Sequence, residues 1–221
     1  MKKGEVTMAK RDRFSDEEMA EELKRSQQKA QGIRSAIFKD DLDFPIYYPT
    51  AGEKPHWVDI IPYRAGTNDP NKKKGQFAYT YEYWCHTRLG PAKTTVICPT
   101  MYGDKCPVCE HREKLRADDN SDWEKFKTKK RNLYNIISYD DKDEEKKGIQ
   151  IWDISWHYFE KFLMKISKKS SRSGKKETTV LFMSPDKRKG KTITFSIEAP
   201  KGKNDYPKFL GHGFDNRDYE I

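Results

Sequence analysis

The sequence predicts a mainly β protein with a few helices, of the small, partly open barrel type called the OB-fold, a five-stranded Greek-key barrel. Three observations predict it. Short alternating strand patterns recur between turn signals, whereas convincing helical periodicity is rare. Apolar residues make up only 34% of the 221 residues and charged residues 36%, a balance that leans toward disorder. The chain nevertheless carries 11 Phe, 12 Tyr and 5 Trp, more rings than disordered chains hold, which points to a small folded core with polar loops.

Residues 1–36 read as a separate N-terminal arm. Ser15 with Glu18 forms a capping-box signature for a helix to about Gln28, and its few apolar anchors leave it outside the core. This arm would contact a neighbouring copy or a partner. Residues 37–210 form the predicted core. Strands are expected at Trp57–Ile61, Phe77–Cys85, Thr94–Cys98, Leu133–Tyr139, Ile149–Ile154, Thr178–Met183 and Thr192–Ile197. Ser155 is placed as the cap of a helix, Trp156–Ile166, with Phe159, Phe162, Leu163 and Ile166 on its apolar face. Residues 211–221 are read as a short acidic end carrying Asp215, Asp218 and Glu220. No apolar run approaches the roughly 18 residues of a membrane helix, and residues 1–10 lack a secretory hydrophobic stretch. The expectation is a soluble, intracellular protein without a membrane partner.

All four cysteines, Cys85, Cys98, Cys106 and Cys109, fall within 25 residues. Clustering of this kind, with one Cys-x-x-Cys, points to a metal rather than to a disulfide framework. Cys106 and Cys109 can reach one ion from a tight turn, and Cys98 returns across a glycine-containing loop as a third thiolate. Tetrahedral zinc needs a fourth ligand. Cys85, His86 and His111 are all in range; Cys85 and His86 are strand neighbours, so only one of them can face the ion. Catalytic zinc is disfavoured. A nucleobase deaminase would need His-x-Glu upstream and a proline before the first cysteine of the pair, but His86 is followed by Thr87-Arg88 and Lys105 precedes Cys106. No His-Glu-x-x-His and no phosphate-binding Gly-x-x-x-x-Gly-Lys-Ser/Thr is present either, so the chain is not expected to be an enzyme.

The formal charge is +9. Residues 165–191 alone carry +8, including Lys187, Arg188 and Lys189 in a turn-rich loop. A second run, with Lys127, Lys129, Lys130 and Arg131, leads into a strand bearing Tyr134. Tyr79, Tyr81, Tyr83 and Trp84 add flat rings, with alternation placing the three tyrosines on one face and Trp84 on the other. Aromatics interleaved with Lys and Arg favour single-stranded nucleic acid over duplex, because a duplex exposes no base faces for stacking.

His86, Cys98 and Cys106-Pro107-Val108-Cys109 together resemble the zinc subdomain of T4-type bacteriophage single-stranded DNA-binding proteins. Lys127-Thr128-Lys129-Lys130-Arg131-Asn132-Leu133-Tyr134-Asn135-Ile136 is similar to that family's basic segment leading into a strand. The resemblance covers roughly residues 55–200. It implies an OB-fold with an inserted zinc subdomain at about 84–118, holding one structural zinc through His86, Cys98, Cys106 and Cys109. It implies sequence-independent coating of single-stranded DNA during replication, recombination and repair, in the cytoplasm of an infected bacterial host. Neighbouring copies and replication proteins are the implied partners. The arm's mixed charge and the short acidic end depart from the family pattern. The rival readings are a zinc-ribbon RNA-binding or transcription-regulatory module and, from another class, a zinc-dependent hydrolase or deaminase.

Overall fold

The computed structural model describes residues 42–170, 176–178, 181–184, 190–202 and 205–221. The arm at 1–36 and the loop residues Lys187, Arg188 and Lys189 lie outside the described residues. The protein is mainly β with a few helices, as the sequence predicts. Its strands are β1 (His56–Ile60), β2 (Tyr63–Arg64), β3 (Phe77–Ala78), β4 (Tyr81–Leu89), β5 (Thr94–Ile97), β6 (Lys129–Ser138), β7 (Gln150–Ser155), β8 (Lys168–Ser170), β9 (Lys176–Thr178), β10 (Lys191–Glu198) and β11 (Lys208–Asn216). The helices are α1 (Pro107–Ala117), α2 (Lys142–Lys146) and α3 (Glu160–Ser167).

β6 organises the main sheet. Along one edge it pairs first with β4, Tyr81 opposite Leu133 to Cys85 opposite Lys129, and then with β1, Val58 opposite Ser138. β1 and β4 therefore run in line, and residues 61–80 form an excursion between them that contains the β2–β3 hairpin. The other edge of β6 takes β7, and β10 and β11 extend the sheet beyond β1. All these pairings are antiparallel. A parallel bridge from Ile46 to Ile151 covers the outer side of β7.

One face of this sheet encloses the core. Val58 and Ile60, Tyr134 and Ile136, Trp152 and Ile154, and Ile193, Phe195 and Ile197 pack with Phe159 and Leu163 of the α3 segment. Trp152 on β7 stacks on Phe195 of β10 at 5.3 Å, although β6 and β1 lie between them. A flat sheet would hold those strands about 14 Å apart. The sheet must therefore curl strongly, which lets a small number of rings fill its interior.

Four expectations need correction. Residues 178–183 are not one strand: β9 ends at Thr178 and Leu181–Met183 is a 3-10 turn that drives Phe182 into the core. The helix starts at Glu160 rather than Trp156, and Phe159, not Ser155, is its cap. Trp156 instead donates its backbone N–H to the Lys130 carbonyl, prolonging the β6–β7 ladder by one residue. Residues 211–216 belong to β11 rather than to an acidic end. The Phe77–Cys85 strand is broken at Tyr79 and Thr80, where the excursion rejoins the sheet.

Candidate metal centre and the surface beside it

His86 lies in β4, Cys98 directly follows β5, and Cys106 caps α1, whose first turn contains Cys109. Pro107 begins that helix, where its missing N–H costs nothing. The ligand atoms of the four side chains all lie within 4.8 Å of one another. His86 Nε2 is 3.4 Å from both Cys106 Sγ and Cys109 Sγ, and Cys98 Sγ is 3.6 Å from Cys109 Sγ. These spacings are far too long for disulfides. Metal–sulfur bonds near 2.3 Å and metal–nitrogen bonds near 2.0 Å in a tetrahedron separate sulfurs by about 3.8 Å and sulfur from nitrogen by about 3.5 Å. The four groups therefore could hold one metal ion.

The surrounding hydrogen bonds prepare the donors. His86 Nδ1 faces the Phe126 carbonyl at 3.0 Å, a bond that requires the proton on Nδ1 and leaves the Nε2 lone pair for an ion. The Thr100 hydroxyl sits 3.0 Å from Cys98 Sγ. Burial opposes ionisation of Cys98, but hydrogen bonds from the Thr100 hydroxyl and N–H, together with those from the Cys109 and Cys106 thiols, outweigh it and hold the thiol below its ordinary value. Burial, then the neighbouring Cys98 and Cys106 sulfurs, push the Cys109 thiol up to about 12. Three crowded thiols resist becoming thiolates together unless a cation neutralises them.

The register decides which of the three candidates joins the cluster, and it is His86. Cys85 is buried on the opposite face of β4, with its thiol toward the Lys129 carbonyl. His111 packs its ring edge-on against Phe126, 4.9 Å away, outside the cluster. α1 buries none of its residues, so its position rests on its cysteines and on its packing against residues 121–126.

The expected nucleic-acid residues divide between the two faces of the sheet. Trp84 is 46% exposed and lies directly opposite Lys130, so both project on one face. Tyr83 and Arg131 project on the other. There the Tyr83 hydroxyl donates to Asp153 Oδ1 at 2.8 Å, and Arg131 Nε reaches the same oxygen at 2.9 Å. Tyr83 is 3% exposed, so its ring offers no stacking surface. Tyr81 shares that face and bonds Tyr102 through the two hydroxyls at 3.0 Å. Tyr79, beyond the strand break, turns to the core side instead: its hydroxyl donates to Glu160 Oε1 and its ring meets Phe182. Tyr134 is 1% exposed, with its hydroxyl on Glu160 Oε2. The expectation that it stacks on bases is corrected: pairing with Trp152 places it in the core. Lys127 lies over the Trp123 ring at 4.3 Å and pairs with Glu124, whereas Lys129 is exposed. No helix among the described residues is long and apolar enough to cross a membrane.

No protein-family model matches this sequence, and no curated protein is significantly similar to it.

Proposed function

We propose that the protein is a non-enzymatic, sequence-independent single-stranded DNA-binding protein whose OB-type barrel carries a subdomain folded around one zinc ion. The observation that carries this reading is the junction between the metal cluster and Trp84. His86 lies two residues beyond Trp84 on the same strand face, and Cys98 donates its N–H to the Trp84 carbonyl at 2.8 Å. An ion held by His86 and Cys98 would thus brace an exposed indole that faces Lys130. A His-Cys-Cys-Cys set fills all four tetrahedral positions and leaves no open position for a reacting water, which favours a structural role over a hydrolase. The zinc would neutralise the thiolates and hold the loop at 98–106 and the start of α1 against β4.

An exposed ring beside lysines suits unpaired bases and phosphates, and the curled sheet with α3 packed on its core suits an OB barrel. Coating exposed strands in replication, recombination and repair is the corresponding cellular role. Fluorescence-anisotropy titrations with a labelled DNA single strand, its duplex and the matching RNA strand, at several salt concentrations, test this reading. The single DNA strand should bind most tightly, with log K falling linearly against log salt. Equal or tighter binding of duplex would refute it.

A further inference from the structure

The register of β4, β6 and β7 places three side chains in one cross-strand row. Trp84 lies opposite Lys130 on one side. On the other, Arg131 is opposite Ser155, and the backbone N–H of Trp156 donates to the Lys130 carbonyl at 3.1 Å, which puts Trp156 next in line. Directly opposed residues share a face, and the Lys130 ammonium lies over the Trp156 ring, 5.6 Å from its centroid. The face has an ordered gradient. The Tyr134–Trp152 pair is core, and in the next row outward Asn132 and Ile154 are buried while Glu82 is half-buried. Beyond it come Trp84, Lys130 and Trp156 at the solvent margin, beside His86.

Two indoles with an ammonium between them form a site for alternating flat and anionic groups. Two strand spacings separate the indoles by about 10 Å, whereas bases stacked in a duplex rise only about 3.4 Å per step. One strand can therefore cover both rings only with its bases unstacked. Lys130 is neutralised in the free protein by Glu82 on the same face, Nζ to Oε2 2.9 Å. An incoming phosphate would take over the ammonium from that carboxylate.

Building on the single-strand reading above, we infer that Trp84, Lys130 and Trp156 form a stacking row that takes two unpaired bases on its indoles and the intervening phosphate on Lys130, with Glu82 as the counter-ion the phosphate displaces. Trp156 thereby becomes a binding residue, although its sequence context reads as the start of a helix.

The test is an anisotropy titration of the full-length protein with a labelled thymidine oligonucleotide and with an abasic strand of the same length. Trp156→Ala should weaken binding of the thymidine strand roughly tenfold, the equivalent of about 1.4 kcal/mol, and leave the abasic strand within twofold. Trp156→Phe, which keeps a flat apolar ring if alanine impairs folding, should retain most of the affinity for thymidine. Glu82→Gln should tighten both strands about threefold, because Lys130 is then unpaired before binding. Trp156→Ala within twofold of wild type on thymidine, an equal loss on the abasic strand, or Glu82→Gln binding no tighter would overturn the row while leaving single-strand binding intact. Failure of the unaltered protein to bind either strand would remove both the row and the proposed function.

Discussion

His86 Nε2 lies 3.4 Å from Cys106 Sγ, bringing the middle of a nine-residue strand against the cap of a helix that buries none of its own residues. That asymmetry makes the helix dependent on whatever the two side chains hold.

The purified protein should contain one zinc per chain by elemental analysis. Cys106→Ser and Cys109→Ser should lose it, and amides across Pro107–Ala117 should then exchange with solvent at rates of unstructured chain, because metal binding and local folding are coupled. Cys85→Ser should keep the metal, since its thiol faces the Lys129 carbonyl instead. Retention of zinc by both Cys106 and Cys109 variants would contradict this assignment.

Replacing basic residues should separate binding from stability. Lys129→Ala with Lys130→Ala should flatten the salt dependence of single-strand binding, by about 0.7 in slope for each phosphate that is no longer neutralised. Arg131→Ala should instead cost about 3 kcal/mol of stability in a urea titration, because it strands the buried Asp153 carboxylate. Tyr134→Phe should likewise lower stability, by about 1–3 kcal/mol, through loss of the hydroxyl on Glu160, and leave the salt slope unchanged. Weaker single-strand binding by Tyr134→Phe with an unchanged urea midpoint would place that residue at the nucleic acid after all.

Gly190→Ala should be severely destabilising. A Cβ there would lie 1.8 Å from Arg217 Nη2. The guanidinium cannot yield cheaply, because it is fully buried against Asp59, Nη1 to Oδ2 3.2 Å, and donates to the Ser184 carbonyl. Displacing it should cost about 3 kcal/mol, the scale of breaking a buried ion pair. Gly202→Ala, where the new methyl meets nothing within 4 Å, is the control and should change the urea midpoint little.

Acid should weaken the fold partly through His212. Its ring stacks on Phe162 at 4.8 Å, and burial pulls its pKa down from 6.5 to about 4. The folded state keeps this imidazole neutral while the unfolded chain protonates it. Its contribution is therefore whole above pH 6.5 and is lost as pH falls toward 4. The fall in urea midpoint between pH 7.5 and pH 4.5 should be smaller in His212→Phe than in wild type. An identical fall in the two proteins would show that His212 does not titrate in this way.

Much of this architecture is legible one segment at a time. The short apolar run Trp57–Ile61, ended by Pro62, and the strand patterns at Leu133–Tyr139 and Thr192–Ile197 identify β1, β6 and β10, because short apolar-rich runs between turn signals read as strands wherever they pair. Cys106-Pro107-Val108-Cys109 likewise declares a pair of donors, since four residues at the start of a helix bring both thiols to one side. These features depend on neighbours in sequence, so the sequence by itself determined them.

The remainder depends on pairing between distant segments. Composition and spacing leave Cys85 and His86 equivalent; only the pairing of Cys85 with Lys129, which fixes the face of β4, aims the imidazole at the thiols. Tyr134 follows a basic run as a nucleic-acid-binding ring would, yet its partner Trp152 puts it in the core. Trp156 reads as a helix start until its backbone N–H joins the Lys130 carbonyl. β11 escapes notice because its pairing shifts register between Thr194 and Ser196, which breaks the alternation that marks a strand. In each case the side chain's face is set by register across the sheet. A slip of one residue would reverse it without changing a letter of the sequence, so only the tertiary structure could decide.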